Sequence, residues 1–215
     1  MNNEPMKNLI VFNDKRIFSA SLEKTAKEYR LYDPGWYLYQ KIINYGGNKI
    51  TSEFVKLVYV TLCAWNMNGR GAKLSEYDDF EKSIFAHGHA LQQLEEQDVR
   101  YLYESIHIQD QLKELFFNLN LVAAGKPILV TASKMLHFFM PNLIVPIDRK
   151  YTLSFFNGNT NVPPKIESQF QMFLEIQKEF SQFTRTYDLS LYKDERWNLT
   201  IPKVMDNMII GFMKL

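Results

Sequence analysis

Thr131-Ala-Ser-Lys-Met-Leu-His-Phe-Phe-Met-Pro-Asn-Leu-Ile-Val-Pro-Ile-Asp148-Arg-Lys-Tyr-Thr-Leu-Ser-Phe-Phe156 decides how the chain is read. Lys134 opens an apolar run with helical spacing. Pro141 stops that run, since proline cannot donate the next helical hydrogen bond. Leu143-Ile-Val-Pro-Ile147 reads as extended, and Asp148 stands where a second helical run begins. Aspartate is a strong N-cap, so a helix over 149–157 follows. The first run predicts a helix over 128–140.

Helical periodicity extends in both directions from this segment. Upstream, a helix over 16–31 is broken by Asp33-Pro34-Gly35. Pro34 suits the first position of the next helix, whose stripe is Trp36, Tyr39, Ile42 and Ile43. Thr51 or Ser52 caps an apolar helix running to about Trp65. A loop, Asn66-Met-Asn-Gly-Arg-Gly71, comes next. Ser75 with Asp78 forms a capping box for 76–94, and shorter helices are expected near 96–105 and 108–120. Downstream, 158–164 is a loop, 165–186 a long amphipathic helix, and Pro202 opens a last helix. The fold class is all-α, with eight to ten helices. The chain reads as one domain over 1–215, built as two helical lobes, 1–120 and 121–215, that share a cleft.

Composition narrows the function. With 46% hydrophobic residues and few glycines and prolines (9 and 8), the chain carries material for a packed core and none for a low-complexity segment. The net charge is +1, so binding to DNA requires a local basic patch rather than a global excess. Cys63 is the only cysteine, which excludes an internal disulfide and a cysteine-based zinc site. Its apolar neighbours predict a buried, inert thiol. There is no signal-like N-terminus and no run of eighteen apolar residues, so a soluble, cytoplasmic protein without a membrane partner is expected.

The order lysine, buried helix, Pro146-Ile147-Asp148, helix resembles the second half of the helix-hairpin-helix DNA glycosylase domain, over residues 125–157. The resemblance implies a helical two-lobed scaffold with Lys134 and Asp148 facing an extruded nucleotide. It implies base-excision chemistry, with Asp148 as the carboxylate that stabilises a cationic sugar or activates water, and Lys134 as nucleophile or phosphate contact. Lys134 would begin the second helix of the hairpin. Gly125, beside Lys126 and Pro127, stands in for the family's glycine turn, and the fourteen residues from Lys134 to Asp148 are a shorter interval than is usual there. The plainer reading makes Asp148 an N-cap and Lys134 a first-turn residue facing solvent.

DNA or a nucleotide is therefore the expected partner, and no cofactor or metal is expected. Arg70, Lys73, Lys126, Arg149 and Lys150 are the candidate phosphate contacts, all near predicted loops or helix starts. His87 and His89 lie two apart, which on a helix sends them to different sides and argues against a metal. Arg196 and Trp197 could stack on a base, although Trp more often anchors a core. His137 shares a helix face with Lys134. Two other functions compete: a non-catalytic helical interaction module that kept the scaffold, and a helical enzyme gripping a phosphorylated small molecule with the Arg70 loop.

Overall fold

The computed structural model describes residues 8–29, 33–67 and 73–215. Among them the helices are α1 (Lys15–Glu28), α2 (Pro34–Ile43), α3 (Ser52–Ala64), α4 (Tyr77–Ala86), α5 (Gly88–Glu95), α6 (Val99–Leu102), α7 (Ile106–Asn118), α8 (Leu129–Phe139), α9 (Ser154–Asn157), α10 (Ile166–Thr186) and α11 (Ile201–Phe212). The class is all-α, and the β pairing among these residues is one isolated bridge, Leu74 with Val122. Eleven helices exceed the expected eight to ten. The expected helix over 76–94 divides at His87 into α4 and α5, and the helices expected near 96–105 and over 149–157 shorten to the single turns α6 and α9. The expected capping box is absent: Glu76 precedes α4 without a side-chain cap, and the Ser75 hydroxyl donates to the Asn120 carbonyl instead.

Several starts follow the sequence. Asp33, Thr51, Asp148 and Thr200 each accept a backbone N–H of the turn they open. The turn after Asp148 is π-helical over Arg149–Leu153 before α9 continues it.

All eleven residues of α8 are buried, polar Thr131, Ser133, Lys134 and His137 included, which makes it the central helix, enclosed on every side. It packs against α3, α5 and α10. Buried helix ends need partners for their free backbone groups, and other elements supply them. Gln169 of α10 accepts from the N–H groups of Ile128 and Leu129 at 2.8 and 3.1 Å. At the other end the Lys49 ammonium donates to the Phe139 carbonyl at 2.8 Å and pairs with Glu95 at 3.0 Å.

Contacts cross residue 120 throughout: α1 lies along α11, α6 and α7 against α10, and α3 against α8. The α1–α11 approach is close enough that a Cβ on Gly211 would collide with the Ser21 carbonyl. The Thr25 hydroxyl donates to the Asn207 carbonyl at 2.6 Å across the same seam.

Candidate functional site

Residues 141–143 turn the chain after α8, with Leu143 and Ile144 N–H donating to the Met140 carbonyl, and the buried residues 144–147 then run without regular secondary structure to Asp148. Buried backbone without a ladder must find side-chain partners. Gln177 of α10 meets Val145 twice, accepting its N–H at 2.9 Å and donating to its carbonyl at 2.7 Å. The Ser133 hydroxyl accepts from Ile147 N–H at 3.0 Å. His137 Nδ1 donates to the Ile144 carbonyl at 2.6 Å, and its Nε2 accepts from the Tyr39 hydroxyl at 2.8 Å. A carbonyl only accepts, so the proton sits on Nδ1. Burial, opposed by the Ile144 hydrogen bond and helped by the Lys203 and Lys49 charges, pushes the imidazole pKa down to about 3. His137 is thus a neutral clamp beneath this segment.

This clamping delivers Asp148 to Lys134. The Lys134 ammonium lies 3.5 Å from Asp148 Oδ2, with side chains 8% and 34% exposed. Asp148 Oδ1 meanwhile accepts from Lys150 and Tyr151 N–H. Asp148 is an N-cap and an ion-pair partner at once. Lys134 is not a first-turn solvent residue, nor does it begin its helix. It lies in the middle of α8 and is buried, because the apolar run starts at Leu129, a turn and a half upstream. Burial lowers its pKa, helped by the Lys203 charge and opposed by Asp148 and Asp206.

Lys134 and Asp148 line a cavity of about 360 Å³ with Tyr29, Trp36, Trp65, Tyr151, Lys203 and Asp206 among its other walls. That volume suits a small-molecule group of drug-fragment size. Trp65 is held by its indole N–H donating to the Gly35 carbonyl at 3.2 Å. Gly35 leaves it room, since a Cβ there would stand 2.8 Å from the indole. Both amines lie over this one ring, Lys134 at 5.5 Å and Lys203 at 5.9 Å from its centroid. Lys203 and Asp206, one turn apart on α11, form a second ion pair at 2.6 Å with side chains 5% and 7% exposed. Burial alone would lower the Lys203 pKa, but the facing Asp206 carboxylate and the Tyr29 and Tyr39 hydroxyls raise it.

A neighbouring hollow of about 230 Å³ shares Trp65, Asn66 and Asp148 with the first and adds Pro127, Val130, Val162, Arg149 and Lys150. Asp148 therefore marks the junction of the two. Arg149 and Lys150 are exposed there, with Lys126 exposed one residue before Pro127. Gly125 adopts φ +75° in a turn closed by Lys126 N–H donating to the Ala123 carbonyl. Lys73 is exposed and tied to this turn, its carbonyl accepting from Ala123 N–H at 2.8 Å. Arg70 and most of its loop lie outside the described residues.

No family model, curated protein or solved structure matches the chain. The site's own chemistry must carry its reading.

The remaining sequence candidates fall elsewhere. Trp197 is buried and stacks on Tyr29 at 4.5 Å, as a wall behind the cavity. His87 Nδ1 donates to the Ser83 carbonyl at 2.8 Å. Among the described residues no group of three His, Cys, Asp or Glu could hold a metal, and no helix is long and apolar enough to cross a membrane. Cys63 is half-buried rather than buried, and burial raises its thiol pKa, away from the reactive thiolate.

Sequence reasoning singled out Ile201-Pro-Lys203 without giving Lys203 a role, and it missed Asp206. The signal was there: two opposite charges fall within the apolar stripe Val204, Met205, Met208, Ile209 of the last helix. Tyr29, Trp36 and Trp65 read only as core residues, because their convergence on one cavity depends on tertiary packing.

Proposed function

We propose that the chain is a divergent helix-hairpin-helix glycosylase-like protein that admits a nucleotide extruded from DNA into the aromatic cavity and cleaves its glycosidic bond. The observation carrying this reading is Lys134, buried mid-helix and 3.5 Å from Asp148 Oδ2 in the cavity wall. In this reading α7 and α8 take the place of the hairpin, with the Gly125 turn between them.

The desolvated amine of Lys134, with a second cation in the same cavity, matches how lysine nucleophiles are activated. In the proposed reaction its nitrogen bonds to C1′ of the sugar while the C1′–N bond to the base breaks. The base leaves with the electron pair and takes a proton from water. The proton shed by Lys134 passes to Asp148, which returns it to O4′ as the sugar ring opens to an imine. Asp148 also faces the positive charge that grows on the sugar, where a fixed carboxylate lowers the barrier. Arg149, Lys150, Lys126 and Lys73 would hold flanking phosphates.

The test is incubation with duplexes that each carry one damaged base or an abasic site, with and without borohydride, for wild type, Lys134→Met and Asp148→Asn. Free base and a covalent protein–DNA adduct are expected from wild type, and neither from the variants. Lys134→Met leaves Asp148 without its cation but still one-third exposed and capped by two backbone N–H groups, so a lower Tm with a persisting fold is expected, and Tm separates lost chemistry from lost structure. Base release without an adduct would make Lys134 a phosphate or charge contact and Asp148 the water-activating carboxylate. No release from any substrate would overturn base excision and leave the helical interaction module.

A further inference from the structure

We propose that Lys203 and Asp206 form the ligand-reading pair of the cavity, recognising a hydrogen-bonding edge of a neutral heterocyclic base: an N–H donor onto Asp206 and the adjacent acceptor onto Lys203. This deepens the reading above and rests on it for the identity of the ligand.

Two charges on the buried face of α11 are not explained by packing. The stripe around them, Val204, Met205, Met208 and Ile209, is fully buried, and an apolar pair in place of a buried ion pair is commonly no less stable. The pair is also incompletely satisfied by the protein. Asp206 Oδ2 accepts from Lys203 at 2.6 Å. Oδ1 accepts no hydrogen bond from any described residue, yet it is not sealed in: among the described residues Glu179 Oε2 is the buried side-chain atom without a partner. Asp206 lines the cavity with its side chain 7% exposed, so the cavity is where Oδ1 keeps its access. A carboxylate oxygen that opens on the cavity without a protein donor is placed to accept from a ligand.

Lys203 complements it. Its ammonium lies over the rings of Tyr29, Tyr39 and Trp65, at 5.8, 5.6 and 5.9 Å from their centroids. The ammonium donates to the Asp206 carboxylate at 2.6 Å, with the Tyr29 hydroxyl also beside it. The pair thus presents one donor and one acceptor side by side in an aromatic-walled space. A planar base with an N–H next to a carbonyl or ring nitrogen satisfies both without carrying net charge into the cavity. A phosphate would meet Asp148 and Asp206 as like charges, which disfavours an anion as the occupant.

Calorimetric titration of the whole chain with free bases and their donor-blocked analogues tests the assignment. The probes are hypoxanthine against 1-methylhypoxanthine, and adenine against N6,N6-dimethyladenine. Wild type should bind at least one parent base about tenfold or more tightly than its methylated form, since a site built to hydrogen-bond discriminates strongly against a lost donor. The double variant Lys203→Met with Asp206→Leu removes both charges together and strands neither, so the fold is expected to persist, as checked by Tm. It should bind parent and methylated bases within twofold of each other. Equal binding of parent and methylated bases by wild type overturns the assignment, as does discrimination that survives in the double variant. Absence of binding by any base up to its solubility limit also overturns it. Each of these outcomes is independent of base release from DNA, so either reading can fail while the other stands.

Discussion

Lys134 and His137 are three residues apart on α8, and the sequence places them on one face. The structure gives them different work. Lys134 reaches the cavity, while His137 turns to the segment 144–147 and holds Ile144 and Tyr39. That second role makes stability depend on pH. Burial keeps the folded imidazole neutral down to about 3, whereas the unfolded one takes a proton near pH 6.5. Between those values the unfolded state binds more protons, so stability is complete above about pH 6.5 and is lost as pH falls toward 3. From pH 7 to 4.5 the histidine's share of the loss should be on the order of 2–3 kcal/mol. Urea unfolding of wild type and His137→Asn at the two pH values measures it. The variant should be less stable at pH 7 and show a shallower fall. An identical fall in both proteins would put the acid sensitivity in other groups.

At the scale of elements, the decisive unit is α8 with the irregular stretch behind it. Its order was legible: Pro141 ends a helix, and Leu143-Ile-Val-Pro-Ile147 cannot continue one. What holds the stretch was not. Gln177 lies 32 residues from Val145 in the chain and meets both of its backbone groups. Gln177→Leu should strand an N–H and a carbonyl in the core and cost about 2–6 kcal/mol, at about 1–3 kcal/mol per unsatisfied group. Because Val145 leads directly to Asp148, the same variant should weaken any activity of the Lys134–Asp148 pair more than a surface substitution of equal Tm cost. Thermal unfolding alongside the borohydride assay separates the two effects. A variant with wild-type stability would show that water replaces Gln177 at no penalty. The helix boundaries teach a related lesson. Ser75 and Asp78 match a capping box on paper, yet the Ser75 hydroxyl is taken by Asn120, 45 residues away.

For the whole molecule, a net charge of +1 makes the placement of charge matter more than its sum. Lys126, Arg149 and Lys150 gather near the hollow beside Asp148, and Lys73 joins through the Ala123 turn. If this rim holds phosphates, each contact should contribute about 0.9 to the slope of log affinity against log salt. Fluorescence anisotropy with labelled duplex and single-stranded DNA, across a salt series, should show binding that weakens with salt. Arg149→Ala with Lys150→Ala should flatten the slope by about two units for every DNA sequence alike. Absence of binding even at low salt, where charges are least screened, would rule out DNA as the partner.

The sequence by itself determined the class, most helix positions, the break at Pro141 and the cap at Asp148, because these rest on periodicity and on short-range backbone rules. It also placed Lys134 and Asp148 as a pair to watch. Only the tertiary structure decided that Lys134 is buried, that Lys203 and Asp206 come from the far end of the chain to the same cavity, and that Tyr29, Trp36 and Trp65 wall it. Those facts depend on α1 seating against α11 and on Gly35 admitting Trp65. Local patterns say which face of a helix is apolar. They do not say which other faces it will meet, and a buried charge is recognisable as a site only once its surroundings are known.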